Sequence, residues 1–242
     1  MNELETERLT MNDGFFGRLS DLIANPARLM DNVGIRPHWW PASLLIFVLI
    51  GGFTYLTMPI SAPEQMEMMR DSKVMQMVPE AAWQEQYDAT LNMSQNKRLF
   101  QAVTAGVTTQ VLIILFSLIL GFFARMSGGQ GTFRQAMGVG MWASVIPFGI
   151  ASLIKLPLVL ATESVFAVNL GLAALLPNSE PGSALYQVLM TYGDLLTWWG
   201  LIVLVIGFRQ VFGMPQKTAV VSVILPWILM SAIPLGISLL VM

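Results

Sequence analysis

The sequence predicts an all-α fold, a polytopic bundle of membrane-spanning helices, from three observations. Of the 242 residues, 55% are hydrophobic, and only 12% are charged. Soluble domains carry roughly 25% charged residues, so this chain has about half of the charge that a water-facing surface needs. The apolar residues also fall into five runs near the ~20 residues that a helix needs to cross a bilayer. We therefore predict five transmembrane helices, preceded by one amphipathic helix.

Residues 1–40 are predicted to form a cytoplasmic arm that contains the amphipathic helix. Five apolar side chains recur in it at helical spacing: Phe15, Phe16, Leu19, Leu22 and Ile23. Arg18 and Asp21 fall on the opposite face. A helix of this kind beside a first span typically lies in the plane of the membrane surface, and we predict that these five residues form a membrane-surface helix. Packing of the helix against the cytoplasmic end of the bundle is the alternative, and the pattern allows both.

Residues 41–242 are predicted to form the membrane domain. Its five spans cover approximately residues 42–59, 101–124, 136–160, 195–212 and 219–242. The third and fifth spans contain four prolines: Pro147, Pro157, Pro226 and Pro234. These prolines predict helix kinks, which free backbone carbonyl groups from their hydrogen bonds. Residues 165–176 are apolar enough for a sixth span, but we interpret them as an interfacial or re-entrant helix.

Basic residues in the short connections predict the orientation of the spans. The arm, the second connection and the fourth connection carry Lys and Arg, whereas residues 161–194 of the third connection carry neither. We therefore predict a cytoplasmic N-terminus and an extracytoplasmic C-terminus.

The first connection, residues 60–100, is predicted to be an extracytoplasmic helical insertion. Its composition favours helix, Pro63 and Pro79 suit first-turn positions, and the stretch after Pro79 is predicted to run unbroken into the second span. This insertion is the predicted contact element for a partner. The insertion contains five methionines: Met66, Met68, Met69, Met75 and Met77. Cu(I) prefers thioether ligands, but methionine is also a typical helix-packing residue, so we assign no metal to these side chains.

Two charged residues are predicted to form a polar pair within the membrane. Lys155 lies in the third span, roughly 8 Å from its outer end at about 1.5 Å per residue, and Asp194 begins the fourth span at a similar depth. A charge in the bilayer costs ~3 kcal/mol and usually finds a partner. The alternatives are that Lys155 extends to the interface and that Asp194 caps the fourth helix.

The composition excludes most catalytic and ligand sites. The chain has no cysteine and one histidine, His38, which excludes thiolate and His-rich metal sites. Intramembrane proteolysis needs a Ser/His or paired Asp arrangement, and Asp194 is the only Asp after Asp88. The net charge of −2 argues against a nucleic-acid partner. We therefore predict no catalytic residue, no metal site, no cofactor and no enzymatic activity.

The order of several short motifs resembles bacterial members of the Yip1 domain family over nearly the whole chain. The arm contains F-G-R-L and N-P-A-R-L-M between Phe16 and Met30. G-Q-G-T-F-R-Q-A (129–136) enters the third span, and G-F-R-Q-V-F (207–212) ends the fourth. The resemblance implies a cytosolic N-terminus and five spans, as in the eukaryotic members, which act in vesicle trafficking with Rab GTPases.

The function that the resemblance implies is an accessory one. The D-L-x-G-P and Y-G-Y-S segments of eukaryotic members are replaced here by IRPHWWP (35–41) and ASVIPFG (143–149), and the arm is short, so the GTPase-related function is not carried over. The bacterial relatives imply a non-enzymatic accessory or scaffold protein of the inner membrane, a partner of a transport complex such as an ABC exporter. Its partners would be membrane lipids and either a membrane protein or further copies of this chain.

Two other functions stay open at this point. A self-contained transporter or channel would line a polar path with Gln110, Lys155 and Asp194. A lipid-organising or membrane-shaping protein would act through the helix over residues 15–23.

Overall fold

The computed structural model describes residues 14–70, 77–175 and 184–241. Ten α-helices occur within these residues: α1 (Phe15–Ala24), α2 (Pro26–Ile35), α3 (Trp40–Arg70), α4 (Glu80–Leu91), α5 (Gln95–Met126), α6 (Phe133–Ser144), α7 (Ala151–Thr162), α8 (Ala184–Tyr192), α9 (Leu195–Val211) and α10 (Gln216–Val241). A π-helical turn, Val145–Ile150, joins α6 to α7, and a 3-10 turn covers Leu172–Leu175.

Four helical segments are long and apolar enough to cross a membrane: Trp40–Arg70, Gln95–Met126, Phe133–Thr162 and Gln216–Ile233. Helix α9, which corresponds to the predicted fourth span, is apolar but has only 17 residues. It is therefore roughly 26 Å long, slightly less than the ~30 Å hydrocarbon core. The prediction of an all-α membrane protein is confirmed for the described residues, with four such helices rather than a clear five.

The first connection differs from the prediction at its beginning. Helix α3 continues through Pro59 and Pro63 to Arg70, so the expected helix start at Pro63 is wrong. A proline inside a helix costs about 3 kcal/mol, and it is tolerated where neighbouring groups satisfy the backbone carbonyls that it frees. The continuation places the last turns of α3 beyond the predicted end of the first span.

The first connection also differs at its end. Helix α4 begins directly after Pro79, but it stops at Leu91 and does not run into α5. Asn92 ends it by donating both its backbone and its side-chain N–H to the carbonyl oxygen of Asp88, at 3.0 and 3.1 Å. Ser94 then starts α5 by accepting the backbone N–H of Lys97. The prediction of one unbroken helix is therefore wrong, because two polar caps interrupt it.

The described part of 165–176 contains no α-helix, so the predicted interfacial or re-entrant helix is wrong. Helix α7 ends at Thr162, and the next residue, Glu163, adopts a left-handed conformation with φ of 51°. Asn169 then accepts the backbone N–H of Gly171 with its side-chain oxygen at 2.7 Å. Local side-chain bonds of this type compete with helix formation, which explains why an apolar run remains irregular here. Residue 176 lies outside the described residues.

The described residues belong to two compact units. Unit 1 comprises Met1–Leu44, Leu112–Val145 and Gly200–Pro226, and unit 2 comprises Leu45–Val111, Ile146–Trp199 and Trp227–Met242. The core of unit 1 contains large side chains that are fully buried, among them Leu22, Leu29, Met30, Trp142 and Phe208. Residues of α1 and α2 therefore belong to a core that α6 and α9 complete.

Helix α1, for which the sequence predicts an amphipathic character, divides its apolar residues between two environments. Leu22 is fully buried and Phe15 lies beside Trp142, with 6.3 Å between ring centroids, whereas Phe16 and Ile23 are exposed. Leu19 is half-buried. One side of α1 thus packs within unit 1, and the other side stays open.

Arg18 lies inside unit 1, although the helical pattern placed it on the face away from the apolar residues. Its side chain is only 3% exposed. One guanidinium nitrogen donates to the Asn32 side-chain oxygen at 2.6 Å, and the other donates to the Arg36 carbonyl oxygen at 3.3 Å. A buried guanidinium is tolerated when its two terminal nitrogens are bonded in this way, and the helical period does not reveal such bonds.

Replacing Arg18 with Met is expected to lower the free energy of unfolding by about 2 kcal/mol. The reason is that Asn32 and the Arg36 carbonyl lose a charged donor, which is typically worth roughly 1.5–3 kcal/mol. The matched control is Arg28→Met, because Arg28 forms an exposed ion pair with Asp21 at 3.5 Å, and such pairs contribute at most about 1 kcal/mol. Unfolding in detergent measures both variants, and equal losses would contradict a structural role for Arg18.

Candidate functional site

The structure brings Lys155 and Asp194 together in unit 2. Lys155 lies in the middle of α7, and its Nζ is 3.4 Å from Oδ2 of Asp194, directly before α9. The two side chains are 27% and 15% exposed. The second carboxylate oxygen of Asp194 accepts the backbone N–H of Thr197 at 2.8 Å, as a helix N-cap does. Ion pairing and capping, which the sequence presented as alternatives, therefore occur on the same carboxylate.

A second carboxylate, Glu64, organises the turn that follows α7. One of its oxygens accepts the hydroxyl of Ser164, and the other accepts the backbone N–H of Val165 at 2.8 Å. These bonds satisfy polar groups that the left-handed turn at Glu163 leaves outside the helix. Sequence reasoning missed Glu64, since a contact across 100 residues has no local signal.

The backbone also fixes the position of Asp194. Gly171 and Asp194 form an isolated antiparallel bridge, and the N–H of Leu172 donates to the Gly193 carbonyl oxygen at 3.0 Å. The start of α9 is thereby attached to the irregular segment at residues 163–171 and, through Lys155, to α7. The arrangement neutralises two charges and holds helix ends in place.

The last turns of α3 and the whole of α4 form a hairpin held by side-chain contacts. The Arg70 guanidinium bonds Glu80 at 3.0 Å and lies 4.5 Å from the ring centroid of Trp83. Trp83 stacks on Tyr87 with centroids 5.0 Å apart, and the Tyr87 hydroxyl donates to Glu67 at 2.7 Å. The hydrogen bond to Glu67 raises the pKa of Tyr87 above its ordinary value of 10.0.

The remaining predicted residues occupy separate places. Pro147 lies in the π-helical turn Val145–Ile150, while Pro157 lies inside α7. Pro226 and Pro234 lie within α10. Met66, Met68 and Met69 belong to α3, Met77 is exposed before α4, and Met75 lies outside the described residues. Within the part of the chain that the structure describes, no three His, Cys, Asp or Glu side chains are grouped as metal ligands.

Comparison with known proteins identifies the family. The Yip1 domain matches residues 20–237, which include the second half of α1 and most of α10. No curated protein and no solved structure matches the chain. Since the match covers nearly the whole sequence and the fold is that of an all-helical membrane protein, this chain belongs to the Yip1 domain family.

Proposed function

We propose that this protein is a non-enzymatic accessory or scaffold protein of a membrane transport complex, such as an ABC exporter, in a bacterial inner membrane. The observation that carries the proposal is the hairpin of α3 and α4. It joins an apolar helix to a polar one, and Arg70 contacts both Glu80 and Trp83 of the polar helix. A contact element whose helices already meet before binding loses less conformational entropy when a partner docks.

We propose that α9 crosses the membrane as the fifth span. The backbone N–H of Gln130, after α5, donates to the carbonyl oxygen of Phe212, after α9, at 3.0 Å. Two turns joined in this way lie on the same side of a bilayer. Because Phe133–Thr162 is long and apolar enough for one crossing, the chain between these turns needs a second crossing, and α9 is the apolar helix available for it. A 17-residue helix is accommodated by local thinning of the bilayer.

The charges of unit 1 support a cytoplasmic N-terminus. The described residues of unit 1 include only two acids, Asp21 and Asp31. They include seven cations: Arg18, Arg28, Arg36, Arg125, Arg134, Arg209 and Lys217. An excess of Lys and Arg is typical of cytoplasmic connections. With five spans, this orientation puts the hairpin and the C-terminus on the extracytoplasmic side.

Crosslinking from the hairpin tests the accessory function. The chain has no cysteine, so Gln86→Cys, on an exposed position of α4, carries a photo-crosslinker at a single site. In native membranes we expect one discrete adduct, identified by mass spectrometry as a subunit of a transport complex. The matched control is Val107→Cys, exposed on the apolar helix α5, which is expected to give no such adduct. If the only adducts are with a second copy of this chain, the accessory function is contradicted and the hairpin is a homo-oligomer contact instead.

A second pair of variants tests whether the fixed hairpin matters. Arg70→Gln in the Gln86→Cys background removes the contacts to Glu80 and Trp83, each worth about 0.5–1 kcal/mol at an exposed site. We expect the adduct to fall about fivefold, as a loss of ~1 kcal/mol implies. Lys97→Gln removes the same charge outside the hairpin and is expected to leave the adduct unchanged. An unchanged adduct with Arg70→Gln would contradict a role for the fixed hairpin.

A further inference from the structure

Two turns of unit 1 are in direct contact. The first joins α5 to α6 at residues 127–132, and the second joins α9 to α10 at residues 212–215. Besides the bond from Gln130 to Phe212, a Cβ atom on Gly131 would lie 2.6 Å from the Phe212 ring, so the first turn rests on that ring. The hydroxyl groups of Ser127 and Ser222 are 3.2 Å apart. The helix ends that flank the two turns therefore form one surface.

Four cations flank these turns, and we refer to them as the basic rim: Arg125, Arg134, Arg209 and Lys217. All four are exposed. Residues 123–136 and 207–220 contain no Asp or Glu. Among the residues that the structure describes, no carboxylate pairs with any of the four. The basic rim thus presents four exposed positive charges that the described carboxylates do not neutralise, so it is suited to bind an external anion.

Two residues of the basic rim lie at the ends of candidate membrane spans. Arg125 and Arg134 stand near the ends of two helical segments that are long and apolar enough to cross a membrane, Gln95–Met126 and Phe133–Thr162. Charged residues at such helix ends meet the headgroup layer of the bilayer. The Arg125 guanidinium lies 5.2 Å from the ring centroid of Phe133, and the Phe133 ring is itself exposed. Cations above an exposed apolar ring match a phospholipid, which carries a phosphate above its acyl chains.

We propose that the basic rim binds the headgroups of anionic phospholipids in preference to zwitterionic ones. A zwitterionic headgroup offsets its own phosphate with an ammonium group, whereas an anionic headgroup offers uncompensated negative charge. Juxtamembrane cations attract anionic lipid surfaces, and each contributes about fivefold in affinity. Contact between the two turns brings cations from both sides of the joined surface to the headgroup layer.

Lipid binding by the full-length protein in nanodiscs tests the proposal. The probe is fluorescent phosphatidylglycerol in a phosphatidylcholine background, measured by energy transfer from the protein's tryptophans. Arg134→Gln/Arg209→Gln removes one cation beside each turn and is expected to weaken enrichment of phosphatidylglycerol about 25-fold. Lys97→Gln/Arg98→Gln removes two cations from unit 2 and is expected to change it less than about twofold. The reason is that residues 60–100 contain six Asp and Glu residues against four Lys and Arg, so this connection attracts anionic lipid weakly. Equal losses in the two double variants would overturn the proposal.

Two further arms keep the result interpretable. Arg134→Lys/Arg209→Lys retains the charge, so it is expected to restore most of the enrichment, whereas a folding defect at these positions would persist. Inorganic phosphate at millimolar concentration is expected to compete weakly, because it does not enter the headgroup layer. Full competition by inorganic phosphate, or equal enrichment of phosphatidylcholine, would show that the basic rim is not a site for anionic lipid.

Discussion

Gly140→Ala is expected to lower the free energy of unfolding by about 2 to 3 kcal/mol, the upper range for overpacking a tight core. A Cβ atom on Gly140 would overlap the Ser117 hydroxyl oxygen and lie 2.7 Å from the Ser117 Cβ. Rotation of the Ser117 side chain does not move its Cβ, so the backbones of α5 and α6 must separate. Denaturation by SDS titration from a mild detergent measures the loss.

A second glycine serves as the control for this substitution. A Cβ atom on Gly52, also inside a helix, would meet nothing within 4 Å. Gly52→Ala is therefore expected to be neutral or to stabilise by up to about 1 kcal/mol through helix propensity. The exchange Ser117→Gly/Gly140→Ala removes the overlap and is expected to recover more than half of the loss. Failure of the exchange to recover any stability would contradict close approach of α5 and α6 at this point.

Asp194→Asn is expected to cost about 2 kcal/mol of unfolding free energy. Asparagine retains the oxygen that caps α9, so the substitution isolates the loss of charge. Lys155 then lies without its counter-charge in a largely buried position, with 27% of its side chain exposed. Removing one partner of a fully buried pair costs roughly 3–5 kcal/mol, and the partial exposure reduces that value.

The double variant completes this experiment. Lys155→Met/Asp194→Asn removes both charges and is expected to unfold within about 1 kcal/mol of the unsubstituted protein, because apolar replacements of buried pairs are often neutral. Lys155→Met alone completes the cycle and is expected to cost about 1 to 2 kcal/mol, because Asp194 then lacks its counter-charge. The expected coupling between the two sites is then about 2 to 3 kcal/mol, within the range typical of residues in contact. Strictly additive losses would show that Lys155 and Asp194 do not interact.

The features that the sequence predicted well depend on one helix at a time. Long apolar runs located the four spanning segments, because crossing a bilayer requires a fixed helix length whatever the neighbouring helices are. The regular rise along a helix likewise set Lys155 and Asp194 at a similar depth, and the structure has them 3.4 Å apart. The sequence did not reveal that one carboxylate both pairs and caps.

The features that the sequence did not predict depend on partners far along the chain. Glu64 and the turn at Ser164 meet across 100 residues, and nothing near either residue indicates the other. Arg18 is buried because Asn32 and the Arg36 carbonyl accept its N–H groups, whereas its helical position alone suggested a surface residue. Local propensity also failed over 165–175, where the Asn169 side chain competes with the backbone hydrogen bonds of a helix.

The burial of α1 and α2 within unit 1 has a consequence for biosynthesis. The Gln135 side chain donates to the Gly34 carbonyl oxygen at 2.8 Å, and a Cβ atom on Gly207 would lie 2.9 Å from the Met30 sulfur. At roughly 5–20 residues per second, a ribosome reaches Gly207 about 10 to 35 s after Met30. The side chains of α2 that pack on α9, such as Met30, leave the ribosome first and stay unburied until α9 is synthesised. During that interval the segment exposes apolar surface, which we expect chaperones and the insertion machinery to bind.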